Sequence, residues 1–176
     1  MGVELAHKLG DWDRLARAAL TYGLEITQAL SDQRLITLLE DALRVLPDGD
    51  HPLRAQVLAR LAAALIPSPN PPVPIAMASE ALAMARRLAD PALVRTVLVP
   101  VTSAVTGYAP PDERRLLNQE LVTLALAAGD RVQALRGYRG LISACLGAGD
   151  LASVDANIEA YSALSRELRQ VQYEWP

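Results

Sequence analysis

The chain interrupts itself at almost regular intervals, and this limits its fold more than any single residue does. Glu40, Glu80 and Glu120 stand 40 residues apart and open similar runs, Glu40-Asp41-Ala42-Leu43, Glu80-Ala81-Leu82 and Glu120-Leu121-Val122. The runs end near Leu46, Leu88, Ala128 and Leu168, at spacings of 42, 40 and 40. Stops and starts recur as Leu9-Gly10-Asp11, Leu88-Ala89-Asp90, Ala128-Gly129-Asp130 and Ala148-Gly149-Asp150. A glycine past a helix end takes the left-handed cap conformation, and an aspartate after it caps the next helix. Ser31 and Asp50 are further N-cap candidates, and Pro52 and Pro91 sit where a first helical turn tolerates proline.

Between the stops, apolar residues fall at helical spacing and never alternate for long enough to make a strand. The stripes are Leu35/Leu38/Leu39/Ala42/Leu46, Leu53/Val57/Leu61/Ala62/Leu65, Leu117/Leu121/Leu124/Ala125/Ala128, Leu135/Tyr138/Ile142/Leu146 and Val154/Ile158/Tyr161/Leu168. Leucine and alanine also have the strongest helix propensities, so local preference agrees with the pattern. The expected helices are 2–9, 12–22, 32–46, 51–65, 74–88, 91–106, 112–128, 131–147 and 151–169. The fold class is all-α. A helix pair cannot bury its apolar faces alone, so consecutive pairs should stack as a right-handed α-solenoid of helical hairpins in a single domain over residues 1–176. The period of about 40 exceeds the 34 of a tetratricopeptide repeat, which makes the array tetratricopeptide-like. The proline-rich segment 66–72 reads as a stiff connector rather than a ligand for a partner module, and Pro100 should bend its helix.

Composition excludes several function classes. Hydrophobic residues make up 51% and the net charge is −3, so the chain is packed and is no general nucleic-acid binder. With a single cysteine, Cys145, no intrachain disulfide forms. The first residues lack a charged flank followed by an apolar run, and both long uncharged stretches, 61–79 and 96–111, contain proline. A cytoplasmic protein without membrane contact is expected.

Five phrases carry a family resemblance: residues 35–49 (LITLLEDALRVLPDG), 52–65 (PLRAQVLARLAAAL), 79–91 (SEALAMARRLADP), 147–155 (GAGDLASVD) and 168–175 (LRQVQYEW). With them, residues 10–175 resemble the helical-repeat region of large bacterial regulators. These join an AAA/STAND-type ATPase to a tetratricopeptide-like sensor array, often with a LuxR-type DNA-binding domain or a nucleotide cyclase domain. The resemblance implies a sensor array that binds a ligand or partner, here as a fragment or shortened relative of such a regulator.

The chemistry-bearing residues point the same way. Lys8, the only lysine, is followed by Leu9, so there is no phosphate-binding P-loop. His7, His51 and Cys145 follow no zinc-ligand spacing, and no cofactor is expected. Cys145 lies on an apolar stripe and reads as core, while His51 reads as a solvated first-turn residue. The carboxylate pairs Asp11/Asp13, Glu40/Asp41, Asp48/Asp50 and Asp112/Glu113 read as caps and solvated faces. Gly137, Gly140 and Ala144 place small residues on one helix face for close packing. Arg86-Arg87 and Arg114-Arg115 suit anion recognition if the fold gathers them, with Glu113 or Glu120 as the alternative partners. Tyr138, Tyr161, Tyr173 and Trp175 concentrate late in the chain, where amphipathic aromatics favour an interface and self-association through the C-terminal end. The candidate binding residues are therefore Tyr138, Tyr161, Tyr173, Trp175, Arg114 and Arg115. The expected function is a non-enzymatic module that binds a protein, peptide or small effector in bacterial signal transduction or transcription regulation. The alternative is a small-molecule enzyme or ligand-binding protein using a pocket in the groove.

Overall fold

The structure, a computed structural model, describes residues 11–23 and 32–168. These form eight helices and no strand: α1 (Trp12–Tyr22), α2 (Gln33–Val45), α3 (Pro52–Ala64), α4 (Pro72–Arg87), α5 (Pro91–Val105), α6 (Pro111–Ala127), α7 (Arg131–Ala148) and α8 (Leu151–Leu168). The sequence period reappears in the helix starts. Trp12, Pro52, Pro91 and Arg131 follow one another by 40, 39 and 40 residues, and Gln33, Pro72, Pro111 and Leu151 by 39, 39 and 40. The expected helix 2–9 and the Ser31 cap lie outside the described residues, as do His7 and Lys8.

Local chemistry explains the boundaries. The side chains of Asp11, Asp32 and Asp130 accept from the amides of Arg14, Leu35 and Gln133, and Asp150 does the same for Ser153 ahead of α8. Each satisfies one of the donors that a helix start leaves open. Gly129 and Gly149 sit at φ +70° and +73°, and the next amides, of Asp130 and Asp150, reach back to the carbonyls of Ala125 and Cys145 at 2.9 and 3.0 Å. Ala89 occupies the equivalent position after α4 with φ 53°, although it carries a Cβ. Helix α4 starts two residues before the expected 74, because its first turn absorbs Pro72 and Pro74. The expected connector is present over 66–71, with the Asn70 amide donating to Ser68 Oγ, while Pro72 already belongs to α4. Helix α5 continues through Pro100.

The chain divides into two compact units, 1–105 and 106–176. In the first, α3 packs on α1, α2, α4 and α5, and α4 packs on α5. Surrounded in this way, α3 is buried at Leu53, Ala55, Val57, Ala59 and Leu61–Ala63. It also buries Arg60, whose Nε donates to the Gly23 carbonyl at 2.7 Å. Desolvation pulls the Arg60 guanidinium below its ordinary pKa, and the Asp32 charge partly offsets that. Arg54 closes the end of α2, donating to the carbonyls of Leu43, Leu46 and Pro47.

In the second unit α7 packs on both α6 and α8. The small residues of α7 serve close packing, as the sequence suggested. A Cβ on Gly137 would come within 2.6 Å of Val122 Cγ2 and 3.2 Å of the Asn118 carbonyl oxygen. At Gly140 a Cβ would lie 2.7 Å from Asn118 Nδ2 and nearer still to its Oδ1 and Cγ. Asn118, buried on α6, is held by its own Nδ2 donating to the Arg114 carbonyl at 2.7 Å. Two large stripe residues break the expected pattern: Leu146 and Ile158 are 55% and 45% exposed. Ala128, also counted in a stripe, is exposed as well.

Candidate functional site

The residues picked out from sequence divide among three environments. Tyr161 lies in the core of the second unit with Ala125, Ala134, Leu135 and Leu164, and Tyr138 packs half-buried at its margin beside Ile142 and Leu168. Tyr161 is buried, so it supports the helix packing rather than offering a surface. Arg114 and Arg115 lie at the other end of the α7–α8 pair. The Arg114 guanidinium lies over Gly147, its Nη2 2.9 Å from where a Cβ would stand. Its Nε is screened from solvent and makes no hydrogen bond. Arg115 pairs with Asp112 at 3.5 Å. The Asp150 carboxyl sits below the usual carboxylate range because Ser153 donates to it from side chain and backbone, with the Arg115 charge adding to this. Tyr173 and Trp175 lie outside the described residues.

Arg86 and Arg87 belong to the first unit. Among the partners of these arginines are Asp50 and Glu80 for Arg87 and Asp112 for Arg115, acids the sequence had not singled out for them. Arg87 donates to Asp50 through Nε and Nη2 at 2.8 and 2.7 Å and reaches Glu80 at 2.9 Å. Two carboxylates raise the Arg87 pKa, and Arg87 in turn holds Asp50 low. Asp50 is therefore no helix cap: His51 takes the cap position, without a side-chain hydrogen bond. Nor is His51 a solvated residue. It meets Trp12 edge-on at 5.4 Å and 82°, with Nδ1 buried and unpartnered. Beside it Asp13 is kept low, chiefly by the Arg17 hydrogen bond at 2.6 Å, with the His51 charge as a smaller cause. Asp41 pairs with Arg44 at 2.6 Å and Asp11 with Arg14 at 3.0 Å, so these carboxylates serve caps and surface pairs.

Cys145 is buried, as the apolar stripe implied. Among the described residues no three His, Cys, Asp or Glu side chains gather as a metal-ligand group. No described helix is long and apolar enough to cross a membrane.

What the sequence reading passed over is on the outside of α6. Leu116, Gln119, Thr123 and Leu126 follow at i, i+3, i+7 and i+10, so they share one side of the helix. All four are exposed, Leu116 by 70% and Leu126 by 46%. The stripe is uncharged and extends over about 15 Å at the helical rise. The Thr123 hydroxyl is turned back onto the Gln119 carbonyl. The Gln119 amide, which hydrogen-bonds no other described residue, keeps a donor and an acceptor for a visiting backbone. The chain matches no family model and no curated protein.

Proposed function

We propose that the chain is a tetratricopeptide-like α-solenoid, a non-enzymatic binding module that receives a protein or peptide segment on the outer stripe of α6. The observation that carries this is the uncharged, exposed row Leu116, Gln119, Thr123 and Leu126. Apolar residues at its two ends supply buried area, and the amide between them supplies hydrogen bonds. That combination suits a peptide better than a metal or an anion. The repeat character is supported by the helix starts at 39- to 40-residue intervals and by the stacking of α1 on α3 and of α3 on α5. Odd-numbered helices that stack on one another, each with an even-numbered partner, are what successive hairpins produce. The resemblance to bacterial ATPase regulators supplies the setting: a cytoplasmic sensor array in signal transduction or transcription regulation.

The test is a peptide-display selection on the immobilised chain, followed by affinity measurements on Leu116→Asp and Leu126→Asp. Enriched peptides should bind the wild type in solution and lose at least about tenfold in affinity with either variant. The helical circular dichroism should stay unchanged, since both side chains are exposed. If nothing is enriched, or if the peptides bind both variants as well as the wild type, the reading fails.

A further inference from the structure

The outer sides of α7 and α8 carry opposite charges that form no ion pair among the described residues. On α7, Arg136, Arg139 and Ser143 are exposed along one side, with Leu146 at the edge of that side. On α8, Leu151, Asp155, Ile158 and Glu159 are exposed at i, i+4, i+7 and i+8, with Leu151 65% in solvent. Ion pairs do form nearby, Arg131 with Glu167 at 3.1 Å and Arg115 with Asp112. Arg136, Arg139, Asp155 and Glu159 take part in none with another described residue. Asp155 and Glu159, one turn apart, repel each other along their helix.

We infer that the second unit self-associates, with α7 of one copy laid antiparallel on α8 of a second copy. The spacings agree. Leu146 lies seven residues beyond Arg139, and Ile158 lies seven beyond Leu151, about 10 Å in each case at the helical rise. Setting Leu146 against Leu151 therefore brings Arg139 level with Ile158 and Glu159, with Arg136 one turn further on. Glu159 then falls between Arg139 and Arg136, Asp155 lies about 4.5 Å along the axis from the level of Arg139, within reach of its long side chain, and the two leucines close over each other at one end. A foreign partner would have to answer the acidic and the basic sides separately, whereas a second copy answers both at once. Such matching of opposite charges is what a self-complementary contact requires. The α6 stripe is not used, so this inference stands independently of peptide binding.

Sedimentation velocity and equilibrium on the full chain at low salt, between 1 and 500 μM (a span of about the usual weak-dimer range), provide the test. The wild type should associate, and raising the salt should weaken it. Arg136→Glu with Arg139→Glu, and separately Asp155→Arg with Glu159→Arg, should each raise the dissociation constant at least about tenfold. An equimolar mixture of the two reversed proteins should associate again, a rescue that misfolding cannot mimic. Leu151→Glu should weaken association in every background. A wild type that stays monomeric at the highest concentration overturns the inference. So does association that is indifferent to both charge reversals, or a mixture that fails to recover.

Discussion

Three glycines within α7 should respond to the same substitution in three different ways. Replacing a helical glycine by alanine gains about 1 kcal/mol of helix stability wherever the new methyl has room. At Gly140 it has none, because the position of the Cβ falls among the atoms of the buried Asn118 amide. Asn118 must swing away, losing the bond from Nδ2 to the Arg114 carbonyl, worth about 1 kcal/mol net, on top of about 1–3 kcal/mol for overpacking. Gly140→Ala should thus destabilise the protein by about 2 kcal/mol after the propensity gain. At Gly137 the obstacles include the Asn118 carbonyl and the Val122 amide as well as a methyl. Backbone cannot rotate aside, so the two helices must separate, and Gly137→Ala should cost at least as much. At Gly147 the nearest atoms are the Arg114 Nη2 at 2.9 Å and Pro111 Cγ at 3.6 Å. The first is the tip of a flexible side chain, so Gly147→Ala should be neutral or stabilising by up to about 1 kcal/mol.

Urea and thermal unfolding followed at 222 nm would rank the three variants. Each kcal/mol shifts the melting temperature by about 2–4 °C for a chain of this size. Adding Asn118→Ala should separate the two effects at position 140. It costs stability alone but makes room for the methyl, so the double variant should lose less than the two singles combined. Additive losses, or a Gly140→Ala protein as stable as the wild type, would refute the claim that Asn118 sits on the face of Gly140.

Ala89→Gly should stabilise by about 0.5–1 kcal/mol, because φ 53° costs an L-residue more than glycine loses in chain entropy; a lower urea midpoint would contradict this. Asp50→Asn should lower the melting temperature at pH 7. The Asp50 pKa is depressed by Arg87 below the ordinary 3.8. Its contribution is therefore complete above that value and is lost as the pH falls through the lowered one. The gap between variant and wild type should close as the pH falls through that lowered value, and a gap constant with pH would exclude the pair as its source. The Cys145 thiol should react with a disulfide reagent at least about a hundredfold more slowly in the native protein than in urea, since it is reached only through opening of α7. Rapid native labelling would mean that the α7 core face is open to solvent.

The helix ends were legible because capping is local chemistry. An aspartate can satisfy an open amide, and a glycine can take a positive φ, whatever surrounds them, which is why Asp11, Asp130, Gly129 and Gly149 lie where the sequence placed them. Proline was less legible: Pro72 looks like loop at the end of a string of prolines, yet it fits the first turn of the helix expected to begin at Pro74. Asp50 shows a different limit. It stood where a cap belongs, but the arginine that claims it is Arg87, 37 positions away and brought near only by the fold. Which side chains stay exposed was the least legible of all. Tyr161 was chosen for its amphipathic ring, but the helix pairing buries it, while Tyr138 stays half-buried beside it. Leu116 was passed over because it falls just off the Leu117/Leu121/Leu124 stripe, and a single leucine off the stripe carries no signal until its neighbours are known.

The burial of a helix in this chain follows the number of helices around it more closely than its own hydrophobicity. Helix α3, with four packing partners, is buried on nearly every side and accommodates even a charged Arg60, because the Gly23 carbonyl and the Asp32 charge meet it there. Helix α8 packs chiefly on α7, and although it is rich in alanine and leucine it leaves Leu151 and Ile158 in water. A single exposed leucine is ordinary on a protein surface and explains nothing. The case for a contact on α7 and α8 therefore rests on coincidence of a more demanding kind. The apolar residues of α8 are interleaved with two acids, and the matching arginines stand one helix away on the same unit, at a spacing that fits. A surface made only for solubility needs charge of either sign in any arrangement; a surface made for a second copy needs this arrangement.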